Sequence, residues 1–156
     1  MTLTTHLSVG AAIGTATGNP ALGFFAGLVS HFAMDALPHF DAGSLGGDSD
    51  NIFKNRKASI FVSIDIFLGI FLIIILFCRN NNLGIFWPIL GATLPDIIDD
   101  SPFWSKYIRK VFPLNYLHKI HEKVQFTVTV KKNFWLGILT QLILIAASLI
   151  YIFSHL

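Results

Sequence analysis

Histidine and aspartate recur in this sequence in short segments whose spacing suits a metal ion. His31 and Asp35 lie four residues apart, so a helix would place both side chains on one face. Pro38 predicts that this helix ends just before it, and His39 and Asp41 follow at once. Imidazole and carboxylate groups together suit Zn²⁺ or Mn²⁺. The alternative is a His–Asp hydrogen bond that only satisfies two polar groups.

A second segment places three carboxylates within five residues. Asp96, Asp99 and Asp100 follow an apolar stretch and Pro95. Beside hydrocarbon, such a concentration of acid is costly unless the groups are paired or bind a cation. The alternative is the acidic N-terminus of a helix that starts at the proline, where the helix dipole favours aspartate.

A third segment carries His118, His121 and Glu122, which one helical face would present together. An ordinary solvated helix face explains this short pattern equally well. His6 precedes the first apolar stretch, where it would either cap a helix or ligate a metal.

Asp65 differs from the other acidic residues because apolar residues flank it on both sides, in the sequence Ile64-Asp65-Ile66. A carboxylate within a membrane span is by default functional, or the partner of a functional group. We therefore expect Asp65 to be a metal ligand or to orient one, and the alternative is a structural hydrogen bond.

The elements that must position these residues are membrane helices. The chain has 156 residues, of which 53% are hydrophobic and only 13% are charged, and its mean hydropathy is +0.64. Soluble domains keep about a quarter of their residues charged. This length predicts one integral membrane domain over residues 1–156. A net charge of +2 gives no indication of nucleic-acid binding, and the single cysteine excludes an internal disulfide.

Five apolar stretches predict an all-α, polytopic helical bundle with about five transmembrane helices. Residues 58–78 and 134–153 are long enough to cross a bilayer, which needs about 20 residues. Residues 7–17, 21–37 and 83–94 are shorter, and a soluble-core origin is the alternative for these three. Beside two clear spans, we expect them to be embedded as well.

The first two stretches predict a tight helical hairpin. Gly18-Asn19-Pro20 between them is a strong turn signal. Small residues at membrane helix contacts allow close approach. We expect the glycines of the two stretches to bring the hairpin's helices together, namely Gly10, Gly14, Gly23 and Gly27.

Five crossings would place the basic residues on one side of the membrane. The connections over residues 38–57 and 95–133 then share a side, and ten of the eleven Lys and Arg lie in them: Lys54, Arg56, Lys57, Lys106, Arg109, Lys110, Lys119, Lys123, Lys131 and Lys132. The positive-inside rule makes that side cytoplasmic. Every histidine except His155 lies on it, so the predicted site faces the cytoplasm. Aromatic and basic residues within 95–133 also predict an interfacial amphipathic helix.

These segments resemble the bacterial membrane-bound metal-dependent hydrolases, small inner-membrane proteins. The resemblance rests on Thr5-His6, on Gly27-Leu28-Val29-Ser30-His31-Phe32-Ala33-Met34-Asp35-Ala36-Leu37, on Leu94-Pro95-Asp96-Ile97-Ile98-Asp99 and on Leu117-His118-Lys119-Ile120-His121. The order of the second and third motifs is reversed here, one residue is inserted before Asp99, and the last motif lacks a threonine. The pattern of His31, Asp35, Pro38 and His39 is also similar to zinc phospholipase C and related nucleases, all-α enzymes that cleave phosphate esters.

The resemblance and the residues together imply a metal-dependent hydrolase with one or two divalent ions, Zn²⁺ or Mn²⁺. The expected metal ligands are His31, Asp35, His39, Asp96, Asp100 and His118 or His121, with His6 and Asp65 completing or orienting them. Asp99 or Glu122 is the expected general base. The expected substrate is a phosphoester of an anionic lipid or a lipid-linked phosphate, attacked by water that the metal activates. The rivals are a metal-ion carrier or sensor without hydrolysis, and a membrane scaffold with a structural polar cluster.

Overall fold

The structure is a computed structural model, and it describes residues 1–79, 83–130 and 132–155. Seven α-helices are present in this part of the chain: α1 (Leu3–Thr17), α2 (Pro20–Asp35), α3 (Arg56–Arg79), α4 (Phe86–Asp99), α5 (Ser105–Ile108), α6 (Leu114–Val124) and α7 (Phe134–His155). Short 3-10 helices occupy Gly43–Leu45 and Leu83–Ile85. The all-α prediction is confirmed. Lys131, one of the ten basic residues counted above, lies outside the described residues.

Two of the five predicted spans have the length and composition of a membrane-crossing helix. These are α3, with 24 residues and a hydropathy of 3.0, and α7, with 22 residues and a hydropathy of 2.3. The other three predicted spans are helices too, but α1, α2 and α4 have only 15, 16 and 14 residues. A helix that crosses a bilayer straight needs about 20 residues, so each of these three helices is shorter than a full crossing.

The predicted turn between α1 and α2 is present. Gly18 ends α1 with a φ of 57°, a left-handed conformation that glycine adopts without strain. Asn19 caps α2, because its side chain accepts a hydrogen bond from the backbone N–H of Leu22, and Pro20 occupies the first turn.

The glycines of the hairpin mainly make room for α4, which packs against both α1 and α2. The two helices of the hairpin also contact each other, and a Cβ on Gly23 would lie 3.1 Å from Thr17 Oγ1. A Cβ on Gly10 would lie 2.9 Å from Ile89 Cα, and a Cβ on Gly27 would overlap the carbonyl oxygen of Pro88. In return, a Cβ on Gly91 would overlap the carbonyl oxygen of Phe24. Because α4 packs against both helices of the hairpin, substitution of these glycines would separate three helices at once.

The direction of packing brings three helix ends together. Gly10 faces Ile89 and Gly14 faces Ile85, so α4 runs antiparallel to α1. Gly23 and Gly27 face Pro88 and then Ala92, so α4 runs alongside α2 in the same direction. The N-terminus of α1 therefore lies beside the C-termini of α2 and α4, and these are the ends that carry the histidines and aspartates.

Pro95 lies inside α4 and not at its start. The alternative of an acidic helix N-terminus is therefore wrong. Asp96 and Asp99 lie in the last turn and Asp100 is the C-terminal cap. The negative end of the helix dipole is at the C-terminus, so these carboxylates raise the local negative charge where the helix already disfavours it. This end of α4 therefore needs nearby positive charge.

Asp65 caps α1 from the neighbouring helix α3. Its carboxylate accepts hydrogen bonds from the backbone N–H groups of Leu3 at 2.6 Å and Thr4 at 3.0 Å. The hydroxyl of Thr4 donates to the backbone carbonyl of Asp65 at 3.0 Å. These bonds satisfy N–H groups that a helix start leaves without partners. The structure therefore gives Asp65 a capping role and does not bring it among the metal-ligand candidates.

We expect Asp65→Ala to lower the free energy of unfolding by about 0.5–2 kcal/mol, the usual cost of losing a helix cap. Thermal unfolding of the purified protein in detergent measures this loss. The control is Ser63→Ala on the same helix, since Ser63 is exposed and its hydroxyl bonds only to the carbonyl of Ser59. If Asp65→Ala unfolds like the Ser63 variant, the cap contributes nothing. Loss of bound metal at unchanged stability would instead restore Asp65 as a ligand.

Candidate metal centre

Two groups of side chains at the joined helix ends have the donors and spacing to hold metal ions. One group contains His6, His31, Asp35 and Asp96, and the other contains Asp96, Asp100 and His121. Within each group, one ligand atom of every residue lies within 4.8 Å of the others. Asp96 belongs to both groups, so its carboxylate can bridge two adjacent ions.

Four helices supply these residues. His6 comes from the start of α1, His31 and Asp35 from the last turns of α2, and Asp96 from the last turn of α4. The fourth helix, α6, supplies His121 and is held near α2 by the chain that follows it. The backbone N–H of Phe126 donates to the carbonyl of Asp35 at 2.8 Å.

The remote ring nitrogens of two histidines are fixed by hydrogen bonds, and these bonds aim the other nitrogens at the cluster. His31 Nδ1 lies 2.8 Å from the carbonyl oxygen of Ala92, so it must donate its proton there. His121 Nδ1 lies 3.0 Å from Asp99 Oδ2. In each ring Nε2 then faces Asp35 Oδ2 at 3.1 Å. Metal-binding histidines in proteins are oriented in the same manner.

The Nε2 atoms of His31 and His121 face each other at short distance. His31 Nε2 and His121 Nε2 are 3.3 Å apart. In neutral rings that donate through Nδ1, two lone pairs would face each other, so the arrangement requires a proton or a cation between them. Asp35 Oδ2 lies 3.1 Å from both Nε2 atoms, so positive charge at this point would also be paired with a carboxylate.

His6 is the clearest unsatisfied group in the cluster. Its side chain is fully buried, and neither ring nitrogen has a hydrogen-bond partner among the residues that the structure describes. Its Nε2 lies 3.2 Å from Asp35 Oδ1 and 3.6 Å from Asp96 Oδ2. A buried polar group without a partner is costly, and a bound ion is one of the ordinary ways to satisfy it. The three nitrogen and three carboxylate donors of the two groups fit a divalent ion of the Zn²⁺ or Mn²⁺ type.

Protons supply the positive charge of the cluster in the metal-free protein. The amino group of Met1 lies 2.6 Å from Asp35 Oδ1. Burial lowers the pKa of His121, but hydrogen bonds to Asp35 and Asp99 and the charge of Asp96 outweigh burial and raise it to about 10. A metal ion that enters must therefore displace a proton from His121.

Asp99 organises the edge of the cluster rather than joining it. Burial opposes its ionisation, but hydrogen bonds from His121, His118 and Arg109 hold the pKa of its carboxyl well below the usual range. Arg109 Nε donates to Asp99 Oδ1 at 3.0 Å, and its Nη2 donates to Asp100 Oδ1 at 3.2 Å. Although 46% of the Asp100 side chain is exposed, desolvation of its carboxyl by the surrounding protein, followed by the charge of Asp96, raises the pKa of Asp100 to about 6.

His118 and Glu122 lie at the rim, outside both groups. His118 Nδ1 is 3.0 Å from Asp99, and its Nε2 is 3.6 Å from Glu122 Oε1. The side chain of Glu122 is 68% exposed. The structure thus brings His118 and Asp99 into one hydrogen-bonded pair, and it leaves Glu122 in solvent beside that pair.

His39 and Asp41 form a separate cluster. His39 Nδ1 donates to the carbonyl of Leu37 at 2.8 Å, and its Nε2 lies 3.1 Å from Asp41 Oδ2. The same carboxylate oxygen accepts hydrogen bonds from Thr127 at 2.7 Å and Gln125 at 3.1 Å. His39 belongs to neither metal-binding group of the described residues, and its hydrogen bonds join the segment after α2 to the segment after α6.

Of the predicted site residues, the structure brings together His6, His31, Asp35, Asp96, Asp100 and His121. Comparison with known proteins adds no relative to this geometry: no family model, no curated protein and no solved structure matches the chain. Arg109 is the contributor that the sequence did not indicate. It lies ten residues from Asp99 in a basic segment whose other charges look the same.

Proposed function

We propose that this chain is a membrane-embedded, metal-dependent hydrolase that binds two divalent cations and cleaves a phosphoester. The observation that supports this most directly is Asp96, whose carboxylate is shared by two groups of candidate ligands. Paired ions about 3.5–4 Å apart, joined by such a bridge, are typical of enzymes that hydrolyse phosphate esters. The motif resemblance to membrane-bound metal-dependent hydrolases supports the same reaction class.

The two groups differ in their access to solvent, which suggests different roles. His6, His31 and Asp35 are fully buried. Asp96 and Asp100 have side chains that are 19% and 46% exposed. A closed set of ligands suits an ion that holds the centre together, whereas an open set leaves room for water and substrate. We therefore assign substrate binding to the side of Asp100 and His121.

The rim residues would prepare that open side. When bound, the cations lower the pKa of coordinated water and polarise a phosphoryl oxygen. Asp99 keeps the ring of His121 in the orientation that ligation needs. Arg109 holds Asp99 and Asp100 together and carries a positive charge toward an anionic substrate. His118, oriented by Asp99 and 20% exposed, is placed to exchange a proton at the rim.

We also propose that α1, α2 and α4 lie in the membrane together with α3 and α7, with the centre on the cytoplasmic face of the inner membrane. Beside the two long spans, α2 exposes Leu22, Phe25 and Val29 at 60%, 63% and 69%, a stripe that suits contact with lipid. The charge distribution supports the orientation. Reporters inserted near Gly46 and fused at the C-terminal end should report opposite sides, and the same side would contradict five crossings.

The test of function is a paired measurement on the purified, detergent-solubilised protein. We expect about two Zn²⁺ or Mn²⁺ ions per chain by elemental analysis, together with hydrolysis of a water-soluble phosphomonoester or phosphodiester. Chelation should abolish hydrolysis, and the metal should restore it. His155→Ala is the control, because His155 is exposed at the far end of α7. Tight metal binding without hydrolysis of either ester class would favour the carrier or sensor, and absence of metal would favour the scaffold.

A further inference from the structure

An apolar groove runs along the side of the molecule between α1, α3 and α4. Its volume is about 630 Å³, and its walls include Leu7 of α1, Ile70 of α3 and Leu90 of α4. Ile70 and Leu90 are 53% and 39% exposed, so the groove is open on its outer side. The helix α3 is one of the two that are long and apolar enough to cross a membrane, and with α3 in a bilayer this opening would face the hydrocarbon.

The groove offers its occupant few polar groups among the described residues that line it. The hydroxyl of Thr93 already donates to the carbonyl of Ile89 at 2.9 Å, and the indole N–H of Trp87 lies at the end of the groove away from the metal centre. An occupant must therefore be apolar along its length, because an unpaired polar group would be costly there.

One end of the groove lies at the metal centre. Two wall residues at this end flank Asp96 on α4: Thr93 lies one helical turn before Asp96, and Ile97 directly follows Asp96. Leu3, at the same end, lies one turn before His6 on α1. Trp87 marks the other end, ten residues before Ile97 on α4, which corresponds to about 15 Å of helix. The groove is therefore a long apolar channel that ends beside the proposed metal ligands.

The dimensions select the occupant. Spread over about 15 Å, the volume of the groove gives a mean cross-section of roughly 40 Å². An α-helix with side chains is about 10–12 Å across and needs roughly twice that area. An extended hydrocarbon chain fits within this cross-section, whereas a helix of a partner or of a second copy would lie only partly in the groove.

We propose that this groove binds the hydrocarbon chain of the substrate, and that the substrate is a single-chain lipid phosphate whose headgroup reaches the metal centre. This inference rests on the proposed function, since the centre supplies the contact with the phosphate. Cations and Arg109 would hold the anionic headgroup, while Leu7, Ile70 and Leu90 would cover the chain. The chain then adds affinity through buried apolar area.

The test uses a photoreactive probe and does not depend on turnover. Dodecyl phosphate with a diazirine at the far end of its chain is irradiated with the metal-loaded protein in lipid nanodiscs. We expect the label to concentrate on residues 86–90, at the far end of the groove. Dodecanol with the same diazirine should label these residues at least tenfold less, because no headgroup anchors it at the metal centre.

Ile70→Trp and Leu68→Trp form a matched pair for this test. Both residues are exposed on α3, at 53% and 46%, but only Ile70 lines the groove. We expect Ile70→Trp to reduce labelling of residues 86–90 at least fivefold and Leu68→Trp to leave it unchanged. Metal content and thermal unfolding check that both variants fold. If Ile70→Trp does not fold, Leu90→Phe fills the same space from α4.

The outcomes separate this inference from the proposed function. Groove labelling that depends on Ile70 supports a lipid-chain site even if no ester is hydrolysed, and in that case only the hydrolase proposal fails. Hydrolysis of soluble esters combined with uniform labelling around the apolar surface, Trp135 included, overturns the groove inference alone. Crosslinks between two copies of the chain through the groove would also overturn it.

Discussion

Asp96→Ala is expected to remove both cations from the centre, whereas Asp100→Ala should remove only one. The carboxylate of Asp96 belongs to both groups of ligands, and Asp100 belongs to the outer group alone. Loss of a bridging carboxylate leaves two positive ions without the charge between them, so neither group retains its affinity. Elemental analysis should give about zero metal ions per chain for Asp96→Ala and about one for Asp100→Ala.

The same two variants should lose activity to a similar extent and differ in the stability that metal confers. Hydrolysis should fall by more than about 100-fold in both, because the open side of the centre is lost in each, but only Asp100→Ala should keep the metal-dependent gain in thermal stability. Asp48→Ala is a suitable control, since Asp48 lies in the loop before α3 and belongs to neither group. Equal metal loss in the Asp96 and Asp100 variants would contradict the bridge. Full metal content in the Asp96 variant would contradict the site itself.

The helices were predictable from the sequence because their signals are local. Apolar length, the Gly18-Asn19-Pro20 turn and the apolar run around Asp65 each act within a few residues. The helix against which the glycines of α1 and α2 pack was not predictable from these signals. Gly27 fits against Pro88 and not against α1, and only the three-helix packing determines that choice. A proline is equally misleading, since Pro95 sits within α4 although prolines favour helix starts.

Part of the candidate site was also predictable, and the division follows from geometry. His31 and Asp35 share a helix face, so their local spacing was sufficient. His39 is also a histidine and lies only four residues after Asp35. The chain turns after α2, however, and this turn directs the His39 ring to Asp41. Asp65 has a carboxylate that could bind a metal, but it accepts hydrogen bonds from the backbone N–H groups at the start of α1 instead. Residue type and proximity in sequence therefore do not separate a ligand from a cap.

Metal uptake is expected to release a proton from His121, and its affinity should therefore rise with pH. The pKa of His121 is raised to about 10 in the metal-free protein, so at pH 7 the ring is protonated and must lose that proton to bind a cation. The apparent association constant should rise about tenfold per pH unit from pH 7 to pH 9 on account of this residue. Below about pH 6, protonation of Asp100 should weaken binding further, because its pKa is raised to about 6.

The stability of the metal-free protein should show the opposite trend. A histidine whose pKa is higher in the folded state than its unfolded value of about 6.5 contributes full stability below pH 6.5. That contribution is lost as the pH rises through about 10, the folded value for His121. The metal-free protein should therefore unfold more easily from pH 6.5 to pH 10, while the metal-loaded protein gains from tighter binding over the same range.

Comparison with His121→Gln isolates the contribution of this one residue. Calorimetric titration with Zn²⁺ in two buffers of different ionisation enthalpy gives the number of protons released at pH 7. The wild-type protein should release about one proton more than the variant, since the Met1 amino group and the other metal-ligand residues are common to both. The variant should also lose the pH dependence of stability between pH 6.5 and pH 8, whereas above pH 8 the Met1 amino group, whose pKa is raised as well, contributes in both proteins. Equal proton release by the two proteins would show that His121 is not deprotonated by the metal, and the outer group of ligands would then have to be reassigned.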